Sequence, residues 1–401
     1  MMDNISGIKK VMNVVITGMA AFMLAGCTVA KSSSGDGTKQ DKDSVKIGVN
    51  MELSGAAAGY GNAQKQGIQL AVSEINKKGG IDVNGRKKKI KLIMRDNKTA
   101  ISTSASVAAQ LATKEKVAAI VGPATTNAGT AEIPNITKAK VPSVSPSATD
   151  PNYTLQKNGK VQPFVFRACY QNNFQGGSAA RFVMNNIKAK RVAVYTDNSS
   201  DYGNGLAKAF KKTYKGKIVD SQTFSEGDKD FNAVLTSFKA KKVDAIYVPG
   251  YYTEVGLIIK QARQIGIKAP IVGSDGMADP KLVQIAGAKN ASKIYYTTPF
   301  STQVAAKDPT ASKFMRDFKN RYHEEAPTFS ALAYDAVYMI KEAIENEKSD
   351  DSAKITKGLE QIKDFTGVTG KITVDKDHNP EKPIAVEELI NGKVGKTFKI
   401  E

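Results

Sequence analysis

Six short segments of this sequence combine hydroxyl, aromatic, acidic and glycine residues in the manner of strand-to-helix loops. They are Glu52-Leu53-Ser54-Gly55, with Gly59-Tyr60-Gly61 before a helix; Gly122-Pro123-Ala124-Thr125-Thr126; Pro146-Ser147-Ala148-Thr149-Asp150-Pro151; Asp197 to Tyr202; Pro249-Gly250-Tyr251-Tyr252; and Gly273-Ser274-Asp275-Gly276. Hydroxyls and free backbone N–H groups at helix N-termini suit an anion such as a carboxylate. An aspartate in a loop facing that anion site would pair with an ammonium group, so the set describes a receptor for a zwitterion. The same residues have plainer uses: Ser147 and Thr149 as turn or N-cap groups, and Asp275 as a brace for its glycine-rich turn.

These loops need a scaffold that brings them together. From Val45 onward, short β-branched runs alternate with longer stretches of helical periodicity, the signature of βα units around parallel sheets. Strands are expected at Val45 to Met51, Ile90 to Asp96, Ala118 to Val121 and Val141 to Ser145. A second series follows at Arg191 to Thr196, Lys217 to Phe224, Ala245 to Val248, Ile271 to Gly273 and Ile294 to Thr297. Helices are expected at Ala63 to Lys77, Ser102 to Lys114, Gly205 to Lys215, Phe231 to Lys241, Glu254 to Ile265, Ala311 to Tyr322 and Ala331 to Glu345. Lys371 to Val374, Val386 to Leu389 and Lys393 to Lys399 read as closing strands. The fold class is α/β: two doubly wound parallel-sheet lobes joined by a multi-strand hinge, one lobe from 45–166 plus 299–368 and the other from 167–298 plus 369–401. Open sheets of this kind bind ligands at the carboxyl ends of their strands, where the six loops fall.

The N-terminus gives an address. An apolar run follows Lys9 and Lys10, too short to span a bilayer but suited to a signal peptide over 1–26. It ends in Leu24-Ala25-Gly26-Cys27, which resembles a bacterial lipobox. Cys27 is therefore expected to carry lipid, and 27–44, rich in Lys, Ser, Gly, Asp and Thr, reads as a flexible tether. With Cys27 acylated, Cys169 has no disulfide partner and reads as a small buried hydrophobe. The net charge of +19 is spread over helix faces and the Asn84-Gly85 hairpin signal that precedes Arg86-Lys87-Lys88-Lys89. Nucleic-acid binding is not expected, because no basic cluster with interleaved aromatics appears; proximity to anionic lipids and wall polymers accounts for the charge. Only His323 and His378 occur, with no metal-ligand spacing or nucleophile elbow, and Gly203-Asn204-Gly205 lacks the third glycine of a dinucleotide loop. No catalysis, metal or cofactor is expected.

Ser54-Gly55, Gly122-Pro123, Ser145-Pro146-Ser147-Ala148-Thr149, Asp201-Tyr202-Gly203, Val248-Pro249-Gly250-Tyr251-Tyr252 and Gly273-Ser274-Asp275-Gly276, taken in order, resemble the branched-chain amino acid-binding proteins of ABC importers. The resemblance implies a type I periplasmic-binding-protein fold covering nearly the whole chain beyond the tether. It also implies that Ser147, Thr149 and Thr126, with Ala148 in the same loop, hold the ligand's carboxylate and amino groups, and that Asp275 takes the ammonium. Tyr60, Tyr202 and Tyr251 would close over the ligand and Phe329 would line its side-chain pocket. The chain departs from the family in lacking the first-lobe disulfide of enteric members, and it has no tryptophan. The expected function is capture of leucine, isoleucine or valine by hinge closure and delivery to a membrane permease and its ATPase, by a monomer lipid-anchored at the outer face of the cell membrane. The alternative is a sensing module for another small amino acid or amide, signalling through a partner.

Overall fold

The computed structural model describes residues 44–400; the expected signal peptide, Cys27 and nearly all of the expected tether lie outside the described residues. Fifteen strands and twelve α-helices are described. The first lobe opens with β1 (Ser44–Met51), α1 (Ala58–Lys77), β2 (Ile81–Val83), β3 (Arg86–Asp96), α2 (Ile101–Ala109), β4 (Ala119–Val121), α3 (Thr126–Ala139), β5 (Ser143–Ser145) and β6 (Val165–Arg167). Its sheet runs β2-β3-β1-β4-β5-β6, parallel throughout except for the β2–β3 hairpin. That hairpin turns at Asn84 and Gly85, both with positive φ, and sends Arg86, Lys87 and Lys89 into solvent.

The second lobe contains α4 (Asn172–Phe182), β7 (Arg191–Asp197), α5 (Asp201–Thr213), β8 (Lys217–Phe224), α6 (Asn232–Ala240), β9 (Ala245–Tyr247), α7 (Tyr252–Gln264), β10 (Ile271–Gly273), α8 (Pro280–Ala286) and β11 (Ile294–Thr298). After α9 (Thr302–Ala305), the chain adds α10 (Pro309–Tyr322), α11 (Thr328–Glu347) and α12 (Ser352–Glu360) to the first lobe, α11 packing on α1. A two-stranded ribbon, β12 (Phe365–Gly367) with β13 (Gly370–Ile372), leads back to β14 (Ile384–Ile390) and β15 (Lys393–Ile400). The second sheet is β15-β14-β11-β10-β9-β7-β8, in which β14 alone runs against the others, antiparallel to both β11 and β15.

Alternation within buried strands feeds the core on both faces of each sheet. Ala193 and Tyr195 join Phe231, Phe238 and Ile258 on one face, while Val192 and Val194 join Phe182, Phe210 and Tyr247 on the other. In the first lobe Ile47 and Val49 meet Ile68 and Ile340, and Ile120 meets Leu111 and Ile136 on the opposite side.

The chain passes between the lobes three times, after β6, after β11 and between β13 and β14. Two buried cations, Arg167 and Lys382, lie at these crossings. The Arg167 guanidinium donates to the Ala148 and Asp150 carbonyls at 2.8 and 2.7 Å. The Lys382 ammonium lies 3.7 Å from the Asp335 carboxylate, which also accepts the Val368 and Thr369 N–H groups at 2.7 and 2.9 Å. Cys169 is fully buried beside them, and desolvation pushes its thiol up to about 12.

Three expectations change. The first helix begins at Ala58, so Tyr60 sits in its first turn and not in a loop. The closing strand expected at Lys371 to Val374 is Gly370–Ile372 and belongs to the separate ribbon. Helices α4, α8, α9 and α12 and strands β2, β6 and β12 were not anticipated.

Candidate functional site

The first-lobe half of the site is built on Glu52, the residue after β1. It is fully buried, and its carboxylate accepts the Ala124 and Thr125 N–H groups, both at 2.9 Å, and the Thr125 hydroxyl at 2.8 Å. Burial raises the Glu52 pKa, against the pull of these bonds. The loop it holds runs from Gly122-Pro123, a cis peptide, to the start of α3 at Thr126. The next loop is tied to it: Ser145 Oγ donates to the Pro123 carbonyl at 2.6 Å and accepts the Ala148 N–H at 2.9 Å. Ser147 Oγ donates to the Ala124 carbonyl at 2.7 Å and accepts from Gln64 Nε2 at 2.6 Å.

The second-lobe half centres on Asp275, at the start of a 3₁₀ turn following β10. Its Oδ1 accepts the Tyr202 hydroxyl and Gln175 Nε2, both at 2.6 Å. The Tyr202 oxygen in turn accepts the Gly276 N–H at 2.8 Å, and its ring stacks on Tyr251 at 4.9 Å with the planes 4° apart. Burial raises the Asp275 pKa, with the Gln175 and Tyr202 bonds opposing it. A carboxylate so placed gains from any cation that reaches it. Burial also raises the phenols of Tyr60, Tyr202 and Tyr251, which therefore remain neutral.

The halves meet. Tyr60 donates to the Gly276 carbonyl at 2.5 Å and accepts the Tyr252 N–H at 3.1 Å. The Tyr252 hydroxyl donates to the Ala56 carbonyl at 2.8 Å and accepts the Gly59 N–H at 3.0 Å. At the opposite rim Asn127 Oδ1 accepts the Asp201 N–H at 3.2 Å. The lobes are closed on one another, and the cavity left where Tyr60, Ser147 and Asp275 converge is only about 10 Å³. They must part to admit a ligand.

Tyr60, Ser147, Tyr202, Tyr251, Asp275 and Phe329 line that cavity, with Ala124, Thr125 and Gly276. Phe329 enters from α11, its ring 4.8 Å from that of Tyr60. Thr126, Ala148 and Thr149 do not line it. Thr126 Oγ1 and Thr149 Oγ1 are nevertheless buried without a hydrogen-bond partner among the described residues. Sequence reasoning missed Gln64 and Gln175, whose amide oxygens are likewise buried and unpartnered. Both sit in helices, where a glutamine looks like any solvated position. Among the described residues there is no cluster of three or more His, Cys, Asp or Glu fit for a metal ion.

Comparison with known proteins places the fold in a family. Residues 44–393 match the family model described as periplasmic binding protein. The Leu/Ile/Val-binding protein BraC3 of Rhizobium johnstonii is 34% identical over 333 residues, 82% of this chain and 87% of its own. Among solved structures, the branched-chain amino acid transporter substrate binding protein LivJ of Streptococcus pneumoniae, in complex with isoleucine, is 45% identical with a TM-score of 0.84, covering 89% of this chain and 99% of its own. The leucine binding protein LivK of Thermotoga maritima is 32% identical with a TM-score of 0.81, covering 88% and 99%. With the two doubly wound lobes and the loop-built cleft between them, these matches establish that the chain belongs to the periplasmic binding protein family.

Proposed function

We propose that this protein is the extracellular substrate-binding component of an ABC transporter and captures leucine, isoleucine or valine between its lobes. The observation that carries the reading is Asp275, a buried carboxylate with no cation beside it in its hydrogen-bond set, closing over an uncharged first-lobe wall that includes Thr125 and Ser147. An amino acid supplies the ammonium for one side and the carboxylate for the other. Ser147, Thr149 and Thr126 would hold the carboxylate and amino groups from the first lobe. Tyr60, Tyr202 and Tyr251 would cover the ligand, and Phe329 would meet its aliphatic chain. The isoleucine complex of the 45% identical streptococcal protein supports this ligand class.

Capture proceeds by hinge closure. The ligand settles on the braced first lobe, and rotation about the three crossings brings Asp275 and the tyrosines over it, where exclusion of water strengthens each charge-assisted bond. Aliphatic side chains differ by methylenes worth only ~1–3 kcal/mol each, so one site serves all three ligands. The closed form would be recognised by a permease driven by an ATPase, and lipid on Cys27 would keep the receptor beside it.

Calorimetry of the purified chain against the twenty amino acids tests the ligand. Leucine, isoleucine and valine are expected to bind near micromolar, about −8 kcal/mol. Failure of every aliphatic amino acid to bind overturns the assignment. For the anchor, Cys27→Ser is expected to release the protein from cells into the medium.

A further inference from the structure

A second cavity, of about 480 Å³, opens beside the cleft. It falls within the ~300–1,000 Å³ range of small-molecule sites. Met277, Tyr296, Phe300 and Leu389 wall it from the second lobe and the crossing after β11, and Ala326 and Pro327 from the approach to α11 in the first. Its charged lining is one-sided. Three carboxylates, Asp279, Glu325 and Glu387, reach it, and no lysine or arginine does, in a chain with 58 basic and 39 acidic residues. Glu325 lies at the solvent rim, paired with Lys319 at 2.6 Å, and Asp279 caps α8 through the Lys281 N–H at 2.8 Å. Glu387 is the inward group. It stands opposite Tyr296 in the β11–β14 ladder, accepts that hydroxyl at 2.8 Å and is 7% exposed.

We infer that this cavity is a second binding site, for a small hydrophobic amine: an apolar body against Met277, Phe300 and Leu389 with one ammonium group at Glu387. Burial raises the Glu387 pKa, and an ammonium would supply the cation its surroundings do not. The three acids repel a carboxylate, so a zwitterionic amino acid is excluded and the two sites take different ligands. They are neighbours in the chain: Gly276 and Phe329 line the cleft, Met277 and Thr328 the second cavity. Because both lobes contribute walls, the amine binds best when the lobes are together and tightens binding in the cleft.

The test is calorimetry of the purified chain with 2-phenylethylammonium chloride, alone and with saturating isoleucine, against 2-phenylethanol as the uncharged analogue. The amine is expected to bind in both conditions, at least tenfold more tightly than the alcohol, and to tighten isoleucine by the same factor by which isoleucine tightens it. Glu387→Gln is expected to weaken the amine tenfold or more while isoleucine affinity measured without amine stays within twofold. Val394→Trp, at an exposed rim position, fills the cavity and abolishes amine binding if Glu387→Gln folds poorly. No binding at millimolar amine, displacement of the amine by isoleucine, equal binding of the alcohol, or indifference to both variants overturns the inference. The amine titration without isoleucine stands apart from the amino-acid reading, so the two can fail separately.

Discussion

The two halves of the cleft are built on opposite designs. In the first lobe the carboxylate of Glu52 is spent inward, accepting three hydrogen bonds from the loop at Ala124 and Thr125. The first-lobe surface that results toward the cleft is uncharged, with Ala124, Thr125 and Ser147 in its wall. In the second lobe the carboxylate of Asp275 faces the cleft and is bonded by side chains: an amide from Gln175 and a phenol from Tyr202, with the Tyr251 ring stacked on that phenol. One half turns its acid into the fold and the other turns its acid toward the cleft. The contrast teaches where energy is stored: a buried acid satisfied by backbone contributes to the fold, and a buried acid awaiting a cation contributes to binding.

Breaking that contrast is straightforward. The largest effect belongs to Asp275→Asn, which leaves an ammonium buried opposite a neutral group. Isoleucine affinity is expected to fall by about 2–5 kcal/mol, while the thermal midpoint of the free protein holds or rises because a desolvated charge is gone. A fall in midpoint with affinity intact would reverse the roles of the halves. Glu52→Gln is expected to do the opposite, turning an NH₂ toward backbone donors and costing about 1–3 kcal/mol of stability, with a smaller loss of affinity. Chemical denaturation alongside titration of the same sample reads both.

A third acid sharpens the picture of the first lobe. Glu132 accepts from Ser143 Oγ at 2.6 Å and Asn50 Nδ2 at 2.9 Å, and burial pushes it up from 4.5 to about 8. Between these values the folded chain holds a proton that the unfolded chain has released. Stability from this group is therefore fully present below pH 4.5 and declines as pH rises toward 8, by at most about 1.4 kcal/mol per unit. Glu132→Gln is expected to flatten that slope; denaturation midpoints across the window that still fall as steeply would contradict it. The smallest effect is expected on the outer surface of the second lobe, where Lys241 bridges Asp220 at 2.7 Å with the lysine side chain 43% exposed. Lys241→Ala is expected to cost under about 1 kcal/mol and to leave ligand affinity alone.

Much of this arrangement was legible in the sequence because its signals are local. Buried parallel strands read as short β-branched runs, and Asn84-Gly85 dictates a hairpin by backbone conformation alone. Glycines misled where their role is tertiary. Gly59 and Gly61 look like loop punctuation, yet both lie in α1. A Cβ on Gly61 would sit 2.0 Å from the Glu52 carbonyl, and one on Gly59 would sit 2.3 Å from Asp279 Oδ2 across the cleft. They are small because other backbone and the opposite lobe pass close, not because the chain turns. Helix α4 was missed for the same reason: Gly176 and Gly177 lower its propensity, but a Cβ on Gly176 would meet the Leu206 carbonyl of α5 at 2.7 Å. With α4 went Gln175, the amide beneath Asp275. Loop residues advertise themselves by type and place, whereas a functional glutamine inside a helix is visible only once its neighbours are fixed.

The stacked pair of Tyr202 and Tyr251 has a spectroscopic consequence. The chain has 14 tyrosines and no tryptophan, and four of the tyrosines, Tyr60, Tyr202, Tyr251 and Tyr252, converge on the cleft from both lobes. Parting the lobes removes the Tyr60 ring from Tyr251 and Tyr252 and wets phenols that are now dry. Near-ultraviolet dichroism and tyrosine emission, unobscured by indole, thus turn the unlabelled protein into its own optical gauge of opening.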